Sequence, residues 1–198
     1  MKAAIIDYGA GNLHSLAKAV RINGWEPITT SSVTEALACD ALFLPGVGAF
    51  GSAIAVLDSQ RQALRNAVSA GIPCLGICLG MQLMMDSSEE GEGKGLGLVA
   101  GAVRRLKASR IPQIGWNTLD DVSDEAIVSS RLSTAFFANS FVCEPDDKSI
   151  VTAWATHEDD RFVAAFRRDN VVGVQFHPEK SSAPGLAMVR EFLAGARR

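Results

Sequence analysis

Along the first half of the chain, short apolar runs alternate with stretches whose apolar residues recur every three or four positions. AAIIDY (residues 3–8) leads into NLHSLAKAVRING (12–24), ALFLPG (41–46) into FGSAIAVLDSQRQALRNAVSAG (50–71), and PCLGIC (73–78) into LGMQLMM (79–85). The runs have the length of buried strands and the periodic stretches have helical spacing. The rhythm therefore predicts βαβ units and a parallel sheet. Gly24 and Gly71 stand where two of those helices should stop, because glycine accepts the left-handed backbone of a helix C-terminus.

The pattern changes in the second half. SIVTAWAT (149–156), RFVAAFRR (161–168) and VVGVQF (171–176) are separated by polar turns such as HEDD and RDN, which predicts meandering antiparallel strands. SSAPGLAMVREFLAGARR (181–198) closes the chain as a helix with Leu186, Val189, Phe192 and Leu193 on one side. DSSEEGEGKGLG (86–97) is polar, with four glycines in its last seven residues, and reads as a mobile surface loop or a plain connector. The expected architecture is one α/β domain over residues 1–198, with a mostly parallel central sheet flanked by helices and extra antiparallel strands in the C-terminal half.

Composition narrows the function. A chain of 198 residues, 47% apolar and 21% charged, is suited to one globular unit with a sizeable core. The net charge of −3 and the absence of any Lys/Arg run longer than two leave no basic field, so nucleic acid is not an expected partner. Apolar stretches are broken well short of membrane-spanning length, and Asp7 comes too early for a signal peptide; a cytoplasmic protein without a membrane partner is expected. Cys39, Cys74, Cys78 and Cys143 form no CxxC pair, which fits a reducing compartment. His14, His157 and His177 are scattered, so neither a metal nor another cofactor is expected.

PCLGIC reads as a buried strand and LGMQLMM as the start of a helix, which puts Cys78 in the turn between them. The pattern G-x-C-x-G then corresponds to a nucleophile elbow with sulfur in place of hydroxyl. Gly76 and Gly80 let strand and helix approach closely, and the helix N-terminus favours a thiolate, so the sulfur is expected to be exposed and activated. Cys74, Cys39 and Cys143 read instead as packed core thiols.

A thiol nucleophile needs a base and a group to orient it. VQFHPEK (174–180) offers both, since Pro178 stiffens the turn that carries His177 and Glu179. His14 and His157 have no such rigidly placed carboxylate and read as surface or helix-face residues. LPGVGAF (44–50) puts two glycines after a strand, either as a tight turn or as a backbone that presents N–H groups to an oxyanion. DYGAGN (7–12) lacks the third glycine of a dinucleotide fingerprint and reads as a tight turn from strand to helix.

LPGVGAF, LGICLGMQ and FHPEK, in that order and at these separations, resemble the class I glutamine amidotransferases. DYGAGNL, PGVGAF, GICLGMQ, PQIGWN and HPEKS bring the chain nearest to the glutaminase subunits of imidazole glycerol phosphate synthases, and the similarity spans essentially the whole chain. The resemblance implies a flavodoxin-like fold and a catalytic triad of Cys78, His177 and Glu179. It also implies an oxyanion site at the N–H of Leu79 and at Val47 or Gly48, and a glutamine site at Gln82, Glu90, Ser140 and Phe141. Glu90 suits the α-ammonium of that substrate.

The implied partner is a (β/α)8-barrel cyclase subunit forming a heterodimer, with Asn12, Gln113, Trp116, Asn117 and Lys180 on the facing surface. Read from the sequence alone, Trp116 is as well explained as a core aromatic and Lys180 as a solvated charge. Asn139 in FFANSF (136–141) departs from the family, which usually has histidine there. The competing functions are the glutaminase of an anthranilate or aminodeoxychorismate synthase, a cysteine peptidase of similar fold, and a binding subunit with a dead site. An intact candidate triad argues against the last.

Overall fold

The structure, a computed structural model, describes residues 1–9 and 12–196. Ala10 and Gly11 of the DYGAGN turn and Arg197 and Arg198 of the closing segment lie outside the described residues. In chain order the elements begin β1 (Lys2–Ile6), α1 (Leu13–Ile22), β2 (Glu26–Thr30), α2 (Val33–Ala36), β3 (Ala41–Leu44), α3 (Phe50–Leu57) and α4 (Arg61–Ser69). They continue with β4 (Cys74–Ile77), α5 (Leu79–Leu83), β5 (Ser87–Ser88), β6 (Gly101–Arg105), β7 (Gln113–Thr118) and α6 (Glu125–Ser130). The rest are β8 (Thr134–Asn139), β9 (Phe141–Pro145), β10 (Val151–His157), β11 (Asp160–Arg168), β12 (Val171–Val174) and α7 (Ser182–Gly195).

Seven strands form the main sheet in the order β10-β11-β12-β4-β3-β1-β2. Strands β2, β1, β3, β4 and β12 run parallel, while β11 is antiparallel to both its neighbours. The parallel part has the 2-1-3-4-5 order of flavodoxin-like sheets, whose ligands bind outside the carboxyl ends of the strands. The meander at the C-terminal end does not form a separate layer. It extends the sheet, because β12 pairs with β4 through Val171↔Cys74 to Val174↔Ile77.

Side-chain alternation divides the core between the two faces of the sheet. Ala3, Ile5, Phe43, Leu75 and Val172 pack with Leu16 and Val20 of α1 and Met188, Val189 and Phe192 of α7. Ala4, Ile6, Leu42, Leu44 and Cys74 pack on the other face with Phe50 and Leu57 of α3 and Leu64 and Val68 of α4. A three-stranded sheet, β5-β6-β9, and a two-stranded ribbon, β7-β8, stand beside this sandwich.

The helix stops follow the glycines. After α1, Gly24 N–H bonds Arg21 O at 3.0 Å and Trp25 N–H bonds Val20 O at 3.3 Å; after α4, Gly71 and Ile72 bond Val68 and Ala67 at 3.0 and 3.3 Å. Both are Schellman closures, with φ of +78° at Gly24 and +109° at Gly71. The helical pattern over residues 50–71 is interrupted, since Asp58–Gln60 forms a 3-10 turn that separates α3 from α4. Periodicity alone does not register such a break. The segment 86–97 is likewise tied at both ends: Ser87 and Ser88 pair with Ala102 and Val103, and Leu96 N–H bonds Leu83 O at 2.7 Å. Gly95 and Leu96 are buried, so the C-terminal end of the segment is packed, while Asp86, Ser87, Glu89 and residues 92–94 are exposed.

Candidate active site

Three segments meet at the carboxyl ends of adjacent parallel strands: Pro45–Gly48 after β3, Cys78 after β4 and His177 beyond β12. Strand β4 passes into α5 through a single residue, Cys78, with φ +50° and ψ −105°. A non-glycine backbone in that region stores roughly 1–3 kcal/mol of strain, which the surroundings must hold in place. They do so from both sides: Cys78 N–H bonds Val174 O at 2.7 Å, and Cys78 O accepts from Gln82 N–H at 3.1 Å. The close approach depends on glycine, since a Cβ on Gly76 would lie 2.7 Å from the Gly80 backbone and one on Gly80 would collide with the Leu44 carbonyl.

The elbow agrees with the sequence reading, but the exposed sulfur does not. Cys78 is only 6% exposed, because β8 lies over it and the sulfur contacts Ala138 O at 3.8 Å. Cys74 faces the α4 side of the sheet in apolar surroundings, and burial pushes its thiol up to about 12. Cys143 is buried as expected, whereas Cys39, close to the surface in the turn after α2, is only half-buried.

His177 is 1% exposed. Its N–H bonds Phe136 O at 2.8 Å, and its Nδ1 lies 2.9 Å from Glu179 Oε1. A carboxylate can only accept, so Nδ1 carries the proton and Nε2 is left free for chemistry. Nε2 is buried with no hydrogen-bond partner of good geometry among the described residues. Burial works against a charge on the ring, but the Cys78 sulfur and then Glu179 outweigh it, and the pKa is pushed up to about 9. Ser181 fixes the turn: its hydroxyl donates to His177 O at 2.6 Å and accepts from Phe136 N–H at 3.0 Å.

Gly46, Val47, Gly48, Cys78, Leu79, Gln82, Glu90, Ala138, Asn139, Ser140 and Phe141 line a cleft of about 180 Å³. Larger clefts, of about 510 and 540 Å³, lie elsewhere and contain neither Cys78 nor His177. Leu79 opens α5, so its N–H is one of the donors a helix start leaves unpaired, while Gly48 has φ +132° and Val47 is 37% exposed. Tyr8, buried beneath the segment after β3, donates its hydroxyl to Pro45 O. Glu90 Oε2 accepts Phe50 N–H at 3.0 Å, which anchors a carboxylate on the cleft wall.

The candidate glutamine-site backbone is partly committed to the fold. Ser140 O accepts from Leu106 N–H at 2.9 Å, and Phe141 O accepts from Gln82 Nε2 at 3.0 Å and Asn139 Nδ2 at 3.1 Å. The residue the sequence reading passed over is Gln175. It is wholly buried, donates from Nε2 to Cys78 Sγ at 3.4 Å, and accepts from Gln82 Nε2 at 3.2 Å. Its only sequence signal was a polar side chain in the apolar run before His177.

The partner-facing candidates separate by strand alternation. Trp116 is 55% exposed and Ile114 70% exposed on the outer face of the β7-β8 ribbon. Trp116 meets Phe136 edge-on at 6.2 Å, and Lys180 Nζ lies 5.8 Å over the same Phe136 ring. Trp116 is therefore not a core aromatic. Gln113 points the other way and is 5% exposed, so its side chain is not available to a partner. Asn117, also inward, donates to Thr156 O at 2.8 Å, whereas Asn12 is an exposed cap at the start of α1. His14 is exposed, and His157 bonds Arg110 O through Nε2 at 2.7 Å, so neither takes part in the cleft. No group of three or more His, Cys, Asp or Glu among the described residues could hold a metal ion, and no helix there is long and apolar enough to cross a membrane.

A strained thiol beside an imidazole that a carboxylate orients, next to unpaired backbone donors at a helix start, is equipped for acyl transfer. The chain belongs to the class-I glutamine amidotransferase family, whose model matches residues 4–196. Among curated relatives it is 40% identical to the imidazole glycerol phosphate synthase subunit HisH of Trichodesmium erythraeum, over 96% of this chain and 93% of the relative. The HisH subunit of Nostoc punctiforme is also 40% identical, over 98% and 96%. Solved structures with this fold include a glutamine amidotransferase (TM-score 0.78, 20% identity, 99% of both chains) and PurLQS from Thermotoga maritima (TM-score 0.76, 19% identity, 98% of both chains).

Proposed function

We propose that the chain is the glutaminase subunit of an imidazole glycerol phosphate synthase, in histidine biosynthesis. The observation that carries the chemistry is the strained Cys78 at the β4–α5 elbow, facing a His177–Glu179 pair held at 2.9 Å. The near full-length likeness to HisH subunits supports the particular enzyme over the other amidotransferases.

Cys78 attacks the side-chain amide carbon of glutamine as its thiolate, and the carbonyl electrons move onto oxygen. The N–H of Leu79, with Val47 or Gly48, receives that oxyanion. His177, which has taken the Cys78 proton on Nε2 to give the thiolate–imidazolium pair, passes that proton to the departing nitrogen as the carbonyl re-forms, so ammonia leaves and a glutamyl thioester remains. The now neutral imidazole takes a proton from water, hydroxide equivalent adds to the thioester, and glutamate departs with the thiolate restored. Glu179 holds the imidazole in the required tautomer throughout. Glu90 and Gln82 bind the α-ammonium and orient the amino acid in the cleft.

Residues 1–198 act as one amidotransferase domain, and four unpaired thiols suit the reducing cytoplasm. The ammonia passes to a (β/α)8-barrel cyclase subunit, which forms imidazole glycerol phosphate and aminoimidazole carboxamide ribotide. The ribbon face with Ile114 and Trp116, together with Lys180 and Asn12, meets that subunit; the buried Gln113 does not. The test is Cys78→Ala in the reconstituted complex. Glutamine-dependent synthesis should fall by about 10⁴–10⁶, while synthesis from ammonium salts persists. Retained glutamine dependence would remove the assignment.

A further inference from the structure

We infer that Gln175 is a positioning residue for the nucleophile: its side-chain amide, locked in one orientation by Gln82, holds an N–H donor on the sulfur of Cys78. The inference rests on the proposed role of Cys78, and it concerns a residue outside the Cys78–His177–Glu179 set.

The orientation of an amide is normally ambiguous, because its oxygen and nitrogen are alike in size. Here a chain of contacts fixes it. Phe141 O is a backbone carbonyl and can only accept, so the Gln82 atom 3.0 Å away must be the NH2 group. That same NH2 lies 3.2 Å from Gln175, so the facing Gln175 atom must be the acceptor, Oε1. The opposite end of the Gln175 amide, 3.4 Å from Cys78 Sγ, is therefore Nε2, a donor. Asn139 reinforces the anchor by donating to Phe141 O at 3.1 Å.

The whole relay is buried. Gln175 is 0% exposed, Gln82 4% and Asn139 4%, so water does not compete for these groups. The backbone N–H of Gln175 bonds Ala164 O at 2.8 Å, which fixes where its side chain starts, and the contact with Gln82 at 3.2 Å fixes where its amide ends. A donor aimed at sulfur favours the thiolate over the thiol, because hydrogen bonds to a charged acceptor are about twice as strong as those to a neutral one. The same donor keeps the sulfur on its side of the elbow, between Ala138 O and the Gln175 amide.

The experiment is the pH profile of alkylation by iodoacetamide, with the modified residue mapped by peptide mass spectrometry, in the unsubstituted protein and in Gln175→Met and Gln175→Glu. Methionine keeps the volume and removes the donor; glutamate keeps the shape and, when ionised, offers only acceptors. The alkylation midpoint of Cys78 should rise by about one pH unit in Gln175→Met, a roughly tenfold slower reaction below the midpoint, and by more in Gln175→Glu where the introduced carboxyl is ionised. Unchanged midpoints in both variants, with melting curves retained, overturn the inference while leaving Cys78 as nucleophile. If neither variant folds, the decision passes to the unsubstituted protein labelled with 15N-glutamine: the Gln175 side-chain amide should titrate with the Cys78 midpoint, and no change in that resonance overturns the inference. Labelling of a different thiol, or glutamine hydrolysis surviving Cys78→Ala, would instead remove the proposed function beneath it.

Discussion

Cys74 and Cys78 stand at the two ends of one strand, and burial does not tell them apart: they are 1% and 6% exposed. What separates them is backbone and company. Cys74 continues a regular strand into an apolar cluster, where burial opposes ionisation and pushes its thiol up to about 12. Cys78 sits at φ +50°, outside the strand, with an amide donor at 3.4 Å and an oriented imidazole opposite. A nucleophile therefore need not be exposed. It must be held where polar groups, rather than water, surround its charge.

That contrast can be attacked at several strengths. Beyond loss of the thiol itself, the largest expected effect is from Glu179→Gln, which leaves the shape but lets the imidazole take the wrong tautomer. Glutamine hydrolysis should fall by about 10²–10⁴ in protein that still unfolds cooperatively, and full activity would show that Glu179 does not orient the base. Gly80→Ala comes next. Its Cβ would collide with the Leu44 carbonyl, so the elbow has to shift, with roughly 1–3 kcal/mol lost in urea unfolding and a matching drop in activity.

A third expectation concerns pH. The His177 pKa, pushed up to about 9, lies above the ordinary value near 6.5, so the charged ring's stabilising contribution is fully present below about pH 6.5 and is lost as pH rises through about 9. In Cys78→Ala, burial is opposed by Glu179 alone. The His177 midpoint followed by proton NMR should then fall, and the melting temperature should vary less between pH 6.5 and 9; an unmoved midpoint would mean that the sulfur does not act on the ring. The smallest effect is at the other cysteine. Cys74→Ala should cost about 1 kcal/mol of stability and leave glutamine turnover within about twofold, because it removes only packed atoms.

Much of this was legible from residue order. The parallel strands β1, β3 and β4 follow from apolar runs alternating with helical periods, whereas β2 was not marked by that pattern and β12, expected only in an antiparallel meander, also joins β4 in parallel; the stops at Gly24 and Gly71 are closures a single glycine can mark. The elbow at Cys78 was legible because Gly76 and Gly80 are required on either side of it. The break at Asp58–Gln60 was not, since its residues continue a helical pattern. Nor was the tethered segment 86–97, whose glycines suggest freedom while Leu96 is pinned to Leu83.

The sequence by itself determined which chemistry the chain carries: a thiol in a turn that only small neighbours permit, and a histidine and a glutamate held two residues apart by proline. Both are local, set by backbone sterics over a few residues. Tertiary structure alone decided that Cys78 lies beneath β8 rather than open to solvent, that Gln113 turns inward while Trp116 turns out, and that Gln175 reaches the sulfur across 97 residues. Those outcomes depend on how separate strands pair, and a side chain's burial and partners are fixed only when its neighbours from distant parts of the chain have arrived.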